Sequence, residues 1–271
     1  MLCLHTMTTK PWTLDDCARH YPEAGVQGIT VWRQHLDGHV PQHAGDRLRD
    51  AGLDIISLCR GGFFPAPSAA ERQAAIDDNL LAIEQAHGLG APLIVLVCGA
   101  HPSVPLPEAR HQISEGIAKI LPVAQQAGIK LAIEPLHPMY AGDRSAINTM
   151  AQANAVIDQL GSPANLGIAI DVYHVWWDET LQSQIQLTAN QDRLHAFHIC
   201  DWKTPTTDLL NDRGLMGEGC IPIREIKHWV NQTGFNGADE VEIFSTHYWS
   251  MDQHTYLKKI TDAYRQLNTE H

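Results

Sequence analysis

Positive charge is scarce in this 271-residue chain: 19 Lys and Arg face 31 Asp and Glu, a formal net charge of −12. Such a field repels phosphate polymers and anionic lipid, which excludes nucleic acid and membrane surfaces as unaided partners. Long apolar runs are also missing. Leu93 to Cys98 is typical, far below the roughly 20 residues that cross a bilayer. The N-terminal Met1-Leu2-Cys3-Leu4-His5 has neither a basic region nor a signal-length apolar core, so the expected location is cytoplasmic. Six cysteines, at 3, 17, 59, 98, 200 and 220, form no CxxC pair and read as reduced, mostly buried thiols. No GxxxxGK[ST] or GxGxxG loop occurs, which leaves a nucleotide cofactor or a phosphorylated substrate without support, and no GxSxG elbow marks a serine hydrolase.

What is present is a rhythm. At 44% hydrophobic residues the chain can bury one large core. A short β-rich run, a loop, an amphipathic helical stretch and a tight Gly-containing turn recur eight times. The expected strands are Leu2 to His5, Gly28 to Trp32, Leu53 to Arg60, Leu93 to Cys98, Lys130 to Glu134, Leu166 to Asp171, Leu194 to Ile199 and Val241 to Phe244. Helices are expected near 13–24, 43–52, 68–88, 107–127, 148–160, 179–189, 222–233 and 252–267. Strands alternating with helices call for a parallel sheet, and eight units in this length predict an α/β fold, a closed (β/α)8 barrel, as a single domain over residues 1–271. Helix-to-strand turns are brief, as at Ala51-Gly52, whereas strand-to-helix loops such as Pro135 to Ile147 and Cys200 to Ile221 are long. In this fold those long loops gather at the C-terminal face, where active sites sit.

The last inward strand positions read His5, Trp32, Arg60, Cys98, Glu134, Asp171, His198 and Glu242. Charged groups at the ends of apolar strands are costly without compensation. Three carboxylates and an imidazole converging on one mouth call for a cation, and a divalent metal is the simplest. Three oxygen donors with one imidazole suit Mn²⁺, Mg²⁺ or Co²⁺ better than a structural Zn²⁺ site. The expectation is one ion per chain, Mn²⁺ favoured and Mg²⁺, Co²⁺ or Zn²⁺ as alternatives.

The segments Ile133-Glu134-Pro135-Leu136, Asp171-Val172-Tyr173-His174 and His198-Ile199-Cys200-Asp201, with Glu242 closing the eighth strand, resemble the xylose-isomerase-like TIM-barrel superfamily of sugar isomerases and epimerases. The resemblance is strong over residues 130 to 245 and diffuse before them; ketose 3-epimerases and keto-inositol dehydratases are its nearest parallels. It implies metal ligation by Glu134, Asp171, His198 and Glu242, with Glu134 and Glu242 doubling as acid and base. It implies proton abstraction beside a carbonyl through a metal-stabilised enediolate, and it gives His174 a hydrogen bond to the substrate.

The chain departs from ketose epimerases after the seventh strand, where Asp201-Trp202-Lys203-Thr204-Pro205 stands in place of a short Gly-rich loop and an arginine comes only at Arg213. Arg213 or Lys203 is the substrate-binding cation. Trp32, Arg60 and Trp202 complete the expected substrate contacts, and Phe63, Phe64, Trp176, Trp177, Tyr248 and Trp249 are further aromatics of the active face. The expected partner is a small sugar. A homo-oligomer pairing through aromatics at 63–64 and 248–249 follows only by analogy. A lyase on a keto-inositol or keto-glycoside needs the same base and metal and is the runner-up. Apurinic endonucleases resemble the Asp212-Arg213…Gly217-Glu218-Gly219 stretch, but the histidine they carry after the Asp-Arg pair is Gly214 here.

Overall fold

The computed structural model describes residues 1–269. Eight parallel strands close a barrel in the order β1-β10-β7-β6-β5-β4-β3-β2. They are β1 (Leu2–His5), β2 (Gly28–Trp32), β3 (Asp54–Gly62), β4 (Leu93–Val97), β5 (Lys130–Ile133), β6 (Leu166–Asp171), β7 (Leu194–Ile199) and β10 (Asp239–Val241). The two remaining strands, β8 (Asp201–Trp202) and β9 (Arg213–Gly214), form an antiparallel hairpin in the loop after β7. Every residue of β2, β4 and β6 is buried, because helices cover the outer face and side chains fill the inner one. Their near-continuous apolar runs follow from that two-sided burial.

The covering helices are α1 (Leu14–Glu23), α2 (Pro41–Asp50), α3 (Ala69–Leu89), α4 (Leu106–Gln126), α5 (Met150–Gln159), α7 (Leu181–Asn190), α8 (Ile223–Gln232) and α10 (Gln253–Leu267). Local chemistry fixes their ends. Thr13 and Ser68 each close a capping box with the acidic residue three positions on, Asp16 and Glu71. Gly90, at φ 82°, terminates α3 in the left-handed conformation a glycine adopts without a Cβ penalty. Two single-turn helices were not expected: α6 (Val172–Val175), directly after β6, and α9 (Thr246–Trp249), which follows β10 after residues 242–245.

One strand differs from expectation in a way that matters for the site. The eighth barrel strand is Asp239–Val241, not Val241 to Phe244, so Glu242 stands just beyond its end and Glu240 lies within it. Phe64 and Tyr248, expected among exposed aromatics, are buried: Phe64 packs against Gly116, and Tyr248 stacks on Tyr256 at 4.5 Å. Among the described residues no helix is long and apolar enough to cross a membrane.

Candidate active site

Register brings the polar residues together. Asp171 pairs with His198 across β6 and β7, and His198 pairs with Glu240 across β7 and β10, so these three side chains stand level on the inner face. Glu242, two residues beyond Glu240, faces the same way one layer nearer the mouth. Glu134 follows the last residue of β5. One ligand atom from each of Glu134, Asp171, His198 and Glu242 lies within 4.8 Å of the other three, and all four residues are buried.

The contact between Glu134 and His198 is distinctive. Glu134 Oε1 lies 3.0 Å from His198 Nδ1, yet neither atom has a hydrogen-bond partner. Buried polar atoms are nearly always satisfied, and two that approach without bonding point to a missing third party. Donors each about 2.1 Å from one ion, at right angles to each other, lie about 3.0 Å apart. The residues therefore fit a divalent metal.

Arg213 is the second cation source. The β8–β9 hairpin carries its buried guanidinium into the site, where Nη1 donates to Asp171 Oδ2 and Glu242 Oε2, both at 2.8 Å, and Nη2 lies 3.2 Å from His174 Nε2. Its plane rests on Tyr173, 4.4 Å from the ring centroid. Burial, together with Arg213, holds His174 well below the ordinary histidine range, so its ring is neutral. Asp171 is pushed up to about 7 by burial, and the negative charge of Glu242 and Glu134 adds to that, outweighing Arg213. Burial would raise Glu242 too, but His5 and Arg213 hold it well below the usual carboxylate range.

Beneath this layer lies a pair that the sequence reading did not assign. Glu240 Oε2 accepts from Thr30 Oγ1 at 2.5 Å and from Ser57 Oγ at 3.4 Å, lies 3.2 Å from His5 Nε2 and faces His198 Nε2 at 3.8 Å. His5 Nδ1 lies 3.1 Å from Glu242 Oε1, so this imidazole bridges the two glutamates. Burial opposes its charge, but the flanking glutamates, Glu242 foremost, raise it to about 9. The available signal was the alternation Asp239-Glu240-Val241-Glu242, which in a strand puts both glutamates on one face.

A cavity of about 440 Å³ opens over the cluster. Of the expected residues, Trp32, Arg60, Glu134, His174, Arg213 and Glu242 line it, while Asp171 and His198 lie beneath them. Lys203 and Trp202 stand behind the wall. Lys203 Nζ binds Asp212 at 2.5 Å, closing the hairpin, and Trp202 stacks on Tyr173 at 4.6 Å. Phe63 lines the cavity, and Tyr140, Arg144 and Phe244 are lining residues that sequence reasoning did not single out.

A profile of the xylose isomerase-like TIM barrel family matches residues 18–267, and the chain belongs to that family. Within it, the chain is 22% identical over 263 residues to an inosose isomerase of Halalkalibacterium halodurans, covering 95% of this chain and 91% of that one. The crystal structure of protein SMc04130 from Sinorhizobium meliloti 1021 superposes with a TM-score of 0.94 at 41% identity, covering 98% of each chain. The crystal structure of IolI protein with a bound zinc atom has a TM-score of 0.84 at 18% identity, covering 98% of this chain and 97% of that one.

Proposed function

We propose that this chain is a divalent-metal-dependent isomerase or epimerase of a ketose or related keto-sugar, and that Glu134 and Glu242 are its acid and base. The observation that carries this is the placement of two glutamates on one cavity, on strands three places apart round the barrel, flanking unbonded donors 3.0 Å apart. Glu134, Asp171, His198 and Glu242 would hold the metal, which when bound supplies a Lewis acid for the substrate carbonyl. The inosose isomerase relative and the zinc of IolI support the reaction class and the metal respectively.

The chain's own groups divide the work. Glu242 is held ionised by His5 and Arg213, the form that can accept a proton from the carbon beside the carbonyl. Glu134 faces the cavity from another wall, where it can return a proton to the opposite face of that carbon, giving epimerisation, or to its neighbour, giving isomerisation. The Arg213 guanidinium, which donates to Nε2 of neutral His174, lines the cavity and can donate to the developing oxyanion, and Nδ1–H is the one donor left to His174. Trp32, Phe63 and Phe244 supply apolar walls that exclude water and suit the C–H faces of a sugar.

The test is a panel of ketoses and keto-inositols incubated in D₂O with metal-loaded protein, read by proton NMR. Deuterium should enter the carbon next to the carbonyl in at least one of them, and Glu134→Gln and Glu242→Gln should each slow that exchange by about 10²–10⁴-fold. Exchange that survives both substitutions would remove the glutamates from the reaction. Loss of water from the substrate would reassign the chemistry to a dehydratase.

A further inference from the structure

Four arginines line the cavity: Arg33, Arg60, Arg144 and Arg213. Two of them are consumed internally. Arg213 is taken up by Asp171, Glu242 and His174, as described. Arg33 grips Asp78 with both terminal nitrogens, at 2.7 and 2.8 Å, and gives Nε to Gln85 at 2.7 Å. Arg60 and Arg144 differ: among the described residues neither side chain forms an ion pair or a hydrogen bond. Instead each guanidinium lies over an aromatic ring, Arg60 at 4.0 Å from Phe63 and Arg144 at 5.6 Å from Tyr140. Stacking of this kind fixes the plane of the group while leaving its N–H edge free.

A half-buried guanidinium without a counter-ion is unfavourable, and two near each other are more so. Arg60 feels both effects, since burial and then the charge of Arg144 push it below the ordinary arginine range. Asp78 is the one nearby acid lining the cavity at this end, and it is already engaged by Arg33. The local excess of positive charge stands against the −12 of the whole chain, whose field would otherwise turn anions away. The same cavity is lined by Glu134 and Glu242, so a ligand in it meets carboxylates as well as free guanidiniums.

We propose that Arg60 and Arg144 are specificity-determining residues that bind an anionic group, a carboxylate or a phosphate ester, carried by the sugar that this cavity holds. The proposal rests on the keto-sugar reading of this cavity and narrows it to acidic keto-sugars. The planar forks suit either anion, because both offer paired oxygens to parallel N–H bonds.

Calorimetric titration of metal-loaded protein with D-fructose, D-fructuronate and D-fructose 6-phosphate tests it. At least one anionic sugar should bind ten or more times more tightly than fructose, and the stronger of the two identifies the anion. The Arg60→Gln, Arg144→Gln double variant should abolish that preference, bringing the anionic sugars to the affinity of fructose, and its thermal midpoint should not fall, since two uncompensated charges are removed. Rising salt should erode the preference in the parent protein only. Equal affinities, failure of both anionic sugars to bind, or a preference that survives the double substitution would overturn the proposal. Deuterium exchange into a neutral ketose reports on the keto-sugar reading separately, so the two can fail independently.

Discussion

His198 Nδ1 and Glu134 Oε1 face each other at 3.0 Å inside the barrel without bonding. That spacing fits two ligands of one cation, and Asp171 and Glu242 would be the others. Protein dialysed against Mn²⁺, Co²⁺ or Zn²⁺ should retain about one ion per chain by elemental analysis. Metal at a hundred times its dissociation constant should stabilise the fold by about 2.7 kcal/mol. The His198→Ala variant should retain none and show no metal-dependent shift of its thermal midpoint. A variant that still holds a full equivalent would place the metal elsewhere.

Glu240 tests how the ligand is held. His198 turns Nδ1 toward Glu134 and Nε2 toward Glu240, 3.8 Å away, so Glu240 stands where a carboxylate would orient the imidazole behind a metal. Glu240→Gln should weaken metal binding by about 10–100-fold in a chelator competition. Glu240→Ala strands Thr30, Ser57 and His5 as well, and should cost about 3–5 kcal/mol in denaturant unfolding. Unchanged metal affinity in Glu240→Gln would mean that His198 is oriented by its strand alone.

These two residues also mark where the sequence was legible and where it was not. His198, Asp171 and Glu134 were readable because each ends an apolar strand, where a charge has no local reason to be. Glu240 was hidden because the expected strand began one residue after it, at Val241, on the strength of the apolar pair Val241 and Ile243. The alternation of Glu240 and Glu242 with Val241 and Ile243 carried the register, but the boundary was placed at the first apolar residue, on hydrophobicity alone. The hairpin that delivers Arg213 was illegible for a different reason. It is two residues long on each side and is pinned by tertiary partners, with Asp201 accepting from Gly217 and Ile221 and Asp212 accepting from Lys203 and Thr207. No periodicity announces it.

The pH dependence of the metal-free protein follows from the same groups. Glu240 and Glu242 are lowered in the fold, so their contribution is present above the unfolded carboxylate range and is lost as pH falls below it. Asp171 is raised to about 7, so the folded state holds a proton there that the unfolded chain has released, and stability declines as pH rises toward 7. His5, raised to about 9, contributes fully below its unfolded pKa near 6.5, and that contribution is lost as pH rises through 9. Thermal midpoints of the apo-protein should therefore peak at roughly pH 4.5–5, just above the unfolded carboxylate range. Asp171→Asn should remove the decline below pH 7. Saturating metal, which requires ionised Asp171, should move the maximum upward. A pH optimum unaffected by metal would contradict the placement of Asp171 in its shell.

Arg213 and the metal claim the same carboxylates. Nη1 donates to Asp171 Oδ2 and Glu242 Oε2, on two of the four residues that would hold an ion. The guanidinium is thus a counter-charge for these carboxylates and a competitor of any cation they would bind. Arg213→Ala removes one positive charge from a fully buried cluster, so the apo-protein should lose about 3–5 kcal/mol, the cost of leaving buried carboxylates unpaired. The same change should tighten metal binding by tenfold or more, since an ion now meets the carboxylates without a rival cation. Activity should nevertheless fall, with kcat reduced more than KM is raised, because His174 loses its partner beside the reacting oxygen. Arg213→Lys keeps the charge but not the fork, and should restore apo stability in part without restoring kcat. If metal affinity falls in Arg213→Ala, the guanidinium supports the metal shell instead of competing with it, and the competition inferred from these two contacts is wrong.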